Sequence, residues 1–540
     1  MIRLFFIAIG CVFYFSNIIF SQHLYSINDT LRGSVTEERA WWDVQKYSIN
    51  ITPDFRSKTL LGSNEITFLV LKNGTKMQID LQQPMQIDSI ICKGEKLKFE
   101  RSKTVYYVYF QNNLELSSEL SIVIYFSGKP REAVKAPWDG GWIWSKDKLN
   151  RPWMSVACQG LGASVWYPCK DHQGDEPDLG ALISITTEDS LIGISNGRLI
   201  SRDTHEHKNT FVWEVKNPIN NYNIVPYIGY YNNWNEKFEG ERGLLDCQYW
   251  VLDYEIENAK KQFKQCQLLL KSFEYWFGSY PFYEDGYKIV QAPFLGMEHQ
   301  SAIAYGNKFE NGYLGRDLSS TGIGLKWDFI LVHESGHEWF GNSITSNDIA
   351  DMWIHESFTN YSETLYTTSI YGVRKGNKYV RGTRKLIQND EPIISNYGVN
   401  SEGSGDMYYK GANMLHIIRQ LIDDDEKFRL ILRLMNKEFY HQTVTTSQIE
   451  DFWIKETGLD LKPIFNQYLR TIQVPTLEVK KIKGKTYVKW SNCVSGFNLA
   501  LKLRNGQVIE PKTEWVQIKK GPFKLRIDPN FYIFIKEVEN

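Results

Sequence analysis

Cysteine is scarce in this chain, with seven among 540 residues and no C-x-x-C pair anywhere. Cys92, Cys158, Cys169, Cys247, Cys266 and Cys493 are scattered over a long sequence, so they indicate neither a disulfide scaffold nor a cysteine zinc site. Cys158 and Cys169 are the nearest pair, and spacing alone leaves their pairing open. A surplus of one charge is also missing: 62 Lys+Arg stand against 63 Asp+Glu, a formal net charge of -1. No global field therefore draws the chain to nucleic acid or to an anionic membrane surface. Internal repeats and low-complexity tracts are absent too. What remains is an ordinary globular composition, 42% hydrophobic and 23% charged, on a chain long enough for two to four domains.

The first segment, MIRLFFIAIGCVFYFSNIIFSQ, places one cation, Arg3, before an apolar run from Leu4 to about Tyr14. Ser21 then supplies a small residue before Gln22. This order is that of a secretory signal over residues 1–21, and an uncleaved anchor is the alternative. Ser16 and Asn17 interrupt the run and leave it short for a stable span, which favours cleavage. The expected location is periplasmic or extracellular, with no membrane span left after cleavage.

From about residue 41 to 250 short alternating runs separated by turn residues predict an antiparallel β domain. Ile66, Phe68 and Val70 alternate with more polar neighbours, and Leu120, Ile122, Ile124 and Phe126 repeat the period. The period then changes. Ala259, Phe263, Cys266, Leu270, Phe273 and Phe277 form one helical stripe ending at Gly278 and Pro281. A strand is expected at 287–291, after which helices dominate to residue 472, with Ser447 and Glu450 as a capping box for one of the last. Beyond Val474-Pro475 the two-residue period returns in Phe497, Leu499, Leu501 and Leu503 before Asn505-Gly506, predicting a small β module over 473–540. The fold class is multidomain α+β.

The stretch Ile330-Leu-Val-His333-Glu334-Ser-Gly-His337 contains H-E-x-x-H on an apolar, helix-compatible background. Histidines at i and i+4 share one helix face, so both imidazoles can reach one ion, while Glu334 is rotated off that line and can address a water instead. A catalytic zinc usually takes three protein ligands and leaves one position open. Nineteen residues after His337, in Asp351-Met-Trp-Ile-His355-Glu356, stand two candidates for the third, Glu356 and its neighbour His355. The segment around them can form a second helix against the first.

With Glu356 at that spacing and Trp339-Phe-Gly-Asn342 between, the sequence resembles the aminopeptidase N family of gluzincin zinc peptidases. That family pairs the zinc signature with a G-x-M-E-N motif upstream, and Leu295-Gly296-Met297-Glu298-His299 stands at the matching distance. Leu295 replaces the leading glycine and His299 the asparagine. Gln159, nine residues before Pro168, matches a Gln or Glu that contacts the substrate amine, and Tyr408-Tyr409-Lys410-Gly411 matches a Y-x-K-G element carrying a catalytic tyrosine. Register selects Tyr408 over Tyr409.

The resemblance implies a β domain, a mostly helical thermolysin-like catalytic domain over 251–472 and a small β-sandwich-like module. It implies one Zn2+ per chain held by His333, His337 and Glu356, with the amine of a peptide bound by Glu298 and Gln159 beside Gly296 and Met297. Hydrolysis of N-terminal residues would then use a zinc-activated water, Glu334 as general base and Tyr408 as oxyanion stabiliser. Larger members add a C-terminal helical domain for which no residues remain here, so a more open cleft is expected. Two other readings share most of these residues: a zinc hydrolase of different specificity, either an endopeptidase or an epoxide hydrolase, and a non-catalytic peptide-binding protein.

Overall fold

A computed structural model describes residues 25–518 and 525–539; the leader expected at 1–21 lies outside them. Among the described residues no helix is long and apolar enough to cross a membrane.

The alternating runs form the expected sheets. Strands Trp42–Asp54 and Thr59–Val70 pair antiparallel, and Glu119–Gly128 continues from the second. On its other edge Trp42–Asp54 pairs in parallel with Ala181–Glu188, which extends this to an eight-stranded sheet. Ile66, Phe68, Val70, Ile122, Ile124 and Phe126 are all essentially inaccessible to solvent, as period-two alternation demands when one face of a sheet is the core. A four-stranded sheet includes Gly141–Lys146 and Pro152–Ala157, and the second of these runs directly into Gln159.

A five-stranded sheet then links the β-rich part to the helices. It begins at Tyr231–Gly240 and Gly243–Leu252, adds Tyr287–Gln291 and Ile303–Tyr305, and ends on the short edge strand Gly296–Met297. The stripe from Ala259 to Phe277 is buried throughout, but it belongs to two helices, Ile256–Gln262 and Gln265–Phe277. Periodicity reports which face is buried, and a turn at Phe263 and Lys264 leaves that face unchanged. The capping box sits two residues earlier than expected. Thr445 caps the helix Thr446–Thr457 with Gln448 as its reciprocal partner, while Glu450 is buried and takes Lys462 and Arg470. Both registers satisfy the same pattern, and this buried ion cluster claims Glu450 for tertiary packing.

Beyond the helices, Thr476–Ile482, Lys485–Ser491, Val516–Gln517 and Phe534–Glu537 make a four-stranded sheet. Phe497, Leu499, Leu501 and Leu503 are all buried, in one apolar cluster with strands of this sheet and with the helices. The six described cysteines are free, and Cys158 and Cys169 are buried without a bridge.

Candidate metal and substrate site

The helix Phe329–Gly336 is buried on every side, so its termini must find partners inside the protein. Asp328 caps it by accepting from the N–H groups of Ile330 and Leu331 at 3.1 and 3.3 Å, a cap worth about 1 kcal/mol. The helix stops as His337 is reached. Its Nδ1 turns to the Phe340 carbonyl at 2.9 Å, which places a proton on Nδ1 and leaves Nε2 facing Glu356. His333 is set the same way by Glu363, whose Oε1 lies 2.8 Å from Nδ1.

Glu356 enters from the helix Trp353–Tyr371, packed on the first. Gly336 permits the close approach, since a Cβ there would stand 2.6 Å from Ser362 Oγ. His355, the competing candidate, faces away and accepts the Ser346 N–H on Nε2 at 2.8 Å.

The three donor atoms form a near-equilateral triangle. His333 Nε2 lies 3.3 Å from His337 Nε2, and Glu356 Oε2 lies 3.5 and 3.4 Å from the two nitrogens. Ligands about 2.0–2.1 Å from a tetrahedral ion stand about 3.4 Å apart, so the set fits zinc without rearrangement. Glu356 Oε2 is buried with no hydrogen-bond partner. An unpartnered buried carboxylate oxygen is costly and marks a cation's place.

Glu363 is a site residue that the sequence reading passed over. It lies two helical turns beyond Glu356 and is held by Asn360 at 2.8 Å and Tyr379 at 2.6 Å. The i, i+7 spacing was the available signal. Because such a partner fixes the imidazole's tautomer and orientation, Glu363→Ala is expected to weaken zinc binding about 10–100-fold. Competition with a metal-sensitive chelator measures this, and unchanged affinity would remove the orienting role.

Across the cleft, the edge strand Gly296–Met297 delivers Glu298. Its Oε1 receives the Tyr222 hydroxyl at 2.9 Å and the Gln159 amide, and its backbone carbonyl receives Asn342 at 2.8 Å. Tyr222 carries no motif in the sequence, and Asn342, though part of Trp339-Phe-Gly-Asn342, had no role assigned to it there. Glu298, Glu334 and His337 present atoms within 4.8 Å of one another. Gly296 leaves room for this, since a Cβ would meet Glu334 Oε1 at 2.7 Å. His299 points away from the cleft to the Tyr227 hydroxyl at 2.6 Å and is kept neutral by burial.

Tyr408 stacks on His333 with ring centroids 6.0 Å apart. Burial and the charges of Glu356, Glu298 and Glu402 push its phenol well up, so it stays an O–H donor. Burial also pushes Glu334 up to about 7, against the pull of His333 and His337.

These groups line a cleft of about 380 Å³. Four carboxylates face it, Glu298, Glu334, Glu356 and Glu402, and no lysine or arginine is among its described lining residues. Pro137 and Trp138 border the mouth. Trp138 remains 64% exposed, so this loop edges the cleft without closing it.

A buried H-E-x-x-H helix, a glutamate from the next helix and a β-rich N-terminal part define the gluzincin class of zinc metallopeptidases. Residues 255–468 match the Peptidase family M1 domain. Aminopeptidase B from Rattus norvegicus is 23% identical over 60% of this chain and 50% of its own length. A probable aminopeptidase 1 from Sulfurisphaera tokodaii is 21% identical over 81% of this chain and 54% of its own. The chain thus spans about half the length of the curated relatives it matches. A mutant M1 zinc metallopeptidase from Deinococcus radiodurans, solved with a Tyr-Ser-Ala substrate, shares the fold. Its TM-score is 0.66 at 17% identity, covering 81% of this chain and 96% of that one. Over residues 255–468 the chain thus resembles peptidase family M1, and the neighbour that shares its fold is named as a zinc metallopeptidase.

Proposed function

We propose that this protein is a zinc-dependent aminopeptidase that removes N-terminal residues from peptides, with residues 251–472 as its catalytic unit. The observation that carries the reading is the separation between the amine anchor and the metal donors. Glu298 lies within 4.8 Å of Glu334 and of His337, one of the metal donors, and consecutive Cα atoms are about 3.8 Å apart. Only one residue fits between an ammonium on Glu298 and a carbonyl beside the metal.

His333, His337 and Glu356 would hold the zinc ion, which when bound supplies Lewis acidity, acidifying water and polarising a carbonyl. Glu298, steadied by Gln159 and Tyr222, takes the free α-amine in a charge-assisted hydrogen bond. The surplus of carboxylates around the cleft favours that ammonium. Gly296 and Met297 present an unpaired strand edge along which the peptide backbone can lie. Glu334 accepts the proton of the attacking water and passes it to the departing amine. Tyr408 donates to the oxygen on which negative charge develops.

A panel of aminoacyl and N-acetylated aminoacyl substrates tests this. Cleavage of the free-amine series alone is expected, with zinc present at one per chain. Equal cleavage of both series would point to an endopeptidase, epoxide turnover without peptidase activity to a hydrolase of other specificity, and absence of both zinc and turnover to a binding protein. Glu298→Ala is expected to raise KM for free-amine peptides about ten-fold or more, the scale of a hydrogen bond between charged groups. Unchanged KM would remove its anchoring role.

A further inference from the structure

Gln159 sits on a tight turn after the strand Pro152–Ala157, followed by Gly160 at φ +66°. The glycine is the freest joint of that turn, and its carbonyl is clamped from two sides. Arg32 Nη1 donates to it, as does Asn400 Nδ2 at 3.1 Å. Arg32 comes from the helix Ile27–Gly33 and Asn400 from the loop that carries Glu402, so two remote segments fix one carbonyl beside the substrate cleft.

The same helix also holds the second clamp. The Asn400 N–H donates to the Asp29 carbonyl at 3.1 Å, and Tyr25 joins Asn396 at 2.8 Å just ahead of it. Gly33 lies so close to the loop that a Cβ would stand 2.2 Å from the Val399 carbonyl carbon. From behind, Arg39 donates to the carbonyls of Arg32 and Ser34, each at 2.9 Å, and is itself paired with Asp80 at 2.6 Å. Arg32 Nε faces Asp171 at 3.5 Å. The helix is a wedge between the Gln159 loop and the Glu402 loop, anchored in the β-rich part.

We propose that Arg32 is a positioning residue for recognition of the substrate amine: by fixing the Gly160 carbonyl it holds the Gln159 amide on Glu298. Arg32 touches no substrate. This rests on the assignment of Gln159 and Glu298 to the amine.

The test is a double-mutant cycle on the zinc-loaded full chain, reading KM and kcat separately with a free-amine aminoacyl p-nitroanilide. Gln159→Ala and Arg32→Ala are each expected to raise KM about ten-fold, the scale of one hydrogen bond to a charged group, with kcat within about two-fold. Together they should do no more than either alone, because a residue that acts through another is not additive with it. Arg32→Lys, which keeps a cationic donor, should recover most of the loss. Additive effects, or unchanged KM in Arg32→Ala with only a lower melting temperature, would overturn the proposal. If Arg32→Ala does not fold, Asn400→Ala removes the other donor to the same carbonyl; no rise in KM there, or additivity with Gln159→Ala, overturns it equally. Unchanged KM in Gln159→Ala alone sinks the amine assignment instead.

Discussion

Glu334→Gln is expected to keep its zinc and lose about 10²–10⁴-fold in kcat, the usual contribution of a positioned general base. The substitution is nearly isosteric and buried, and the donor set of His333, His337 and Glu356 does not include it. The contact with Gly296 is retained, so the strand carrying Glu298 should not move. What disappears is the capacity to accept a proton, since an amide oxygen is far too weak a base. The loss should therefore fall on kcat with KM little changed, which marks an interaction made in the transition state. Zinc per chain and steady-state kinetics on one preparation decide it, and near-normal turnover would sink the base assignment.

His337→Ala or Glu356→Ala is expected to remove metal and activity together, because two remaining donors fall short of the three a catalytic zinc requires. The same site makes a pH prediction. Burial alone would lower the His333 pKa, but the neighbouring carboxylates of Glu356 and Glu363 outweigh it and raise it well above the ordinary histidine range. His337 is likewise raised against burial, chiefly by Glu356 and Glu298. A raised folded pKa means that these ion pairs stabilise the metal-free protein below the ordinary pKa and fade as pH rises through the raised one. Zinc must displace those protons, so its affinity should fall as pH falls. The gap in melting temperature between zinc-loaded and chelated protein should accordingly narrow from pH 8 to pH 5. A gap independent of pH would show that the imidazoles are neutral before the metal arrives.

The elements most legible in the sequence were those whose signal is local. Ile66, Phe68 and Val70 alternate because one face of their strand is core, and no other segment is needed to see it. His333 and His337 share a helix face by spacing alone. Glu356 is different. Nothing local separates it from His355, and only the packing of Trp353–Tyr371 on Phe329–Gly336 turns one side chain toward the histidines and the other toward Ser346. The capping box failed for a related reason: two registers satisfy the pattern, and a buried cluster around Glu450 chooses between them.

The chain's own order of residues thus determined the α+β class, the zinc-type donor pair and the position of a carboxylate motif upstream. Tertiary structure alone decided how those pieces meet. It set three donors at 3.3–3.5 Å from one another, brought Gln159 and Tyr222 onto Glu298 and placed Glu363 behind His333. The physical reason is that periodicity and helix spacing are properties of one segment, whereas ligand geometry depends on the relative placement of segments far apart in sequence. That placement comes from burial and close packing, to which each residue contributes little by itself.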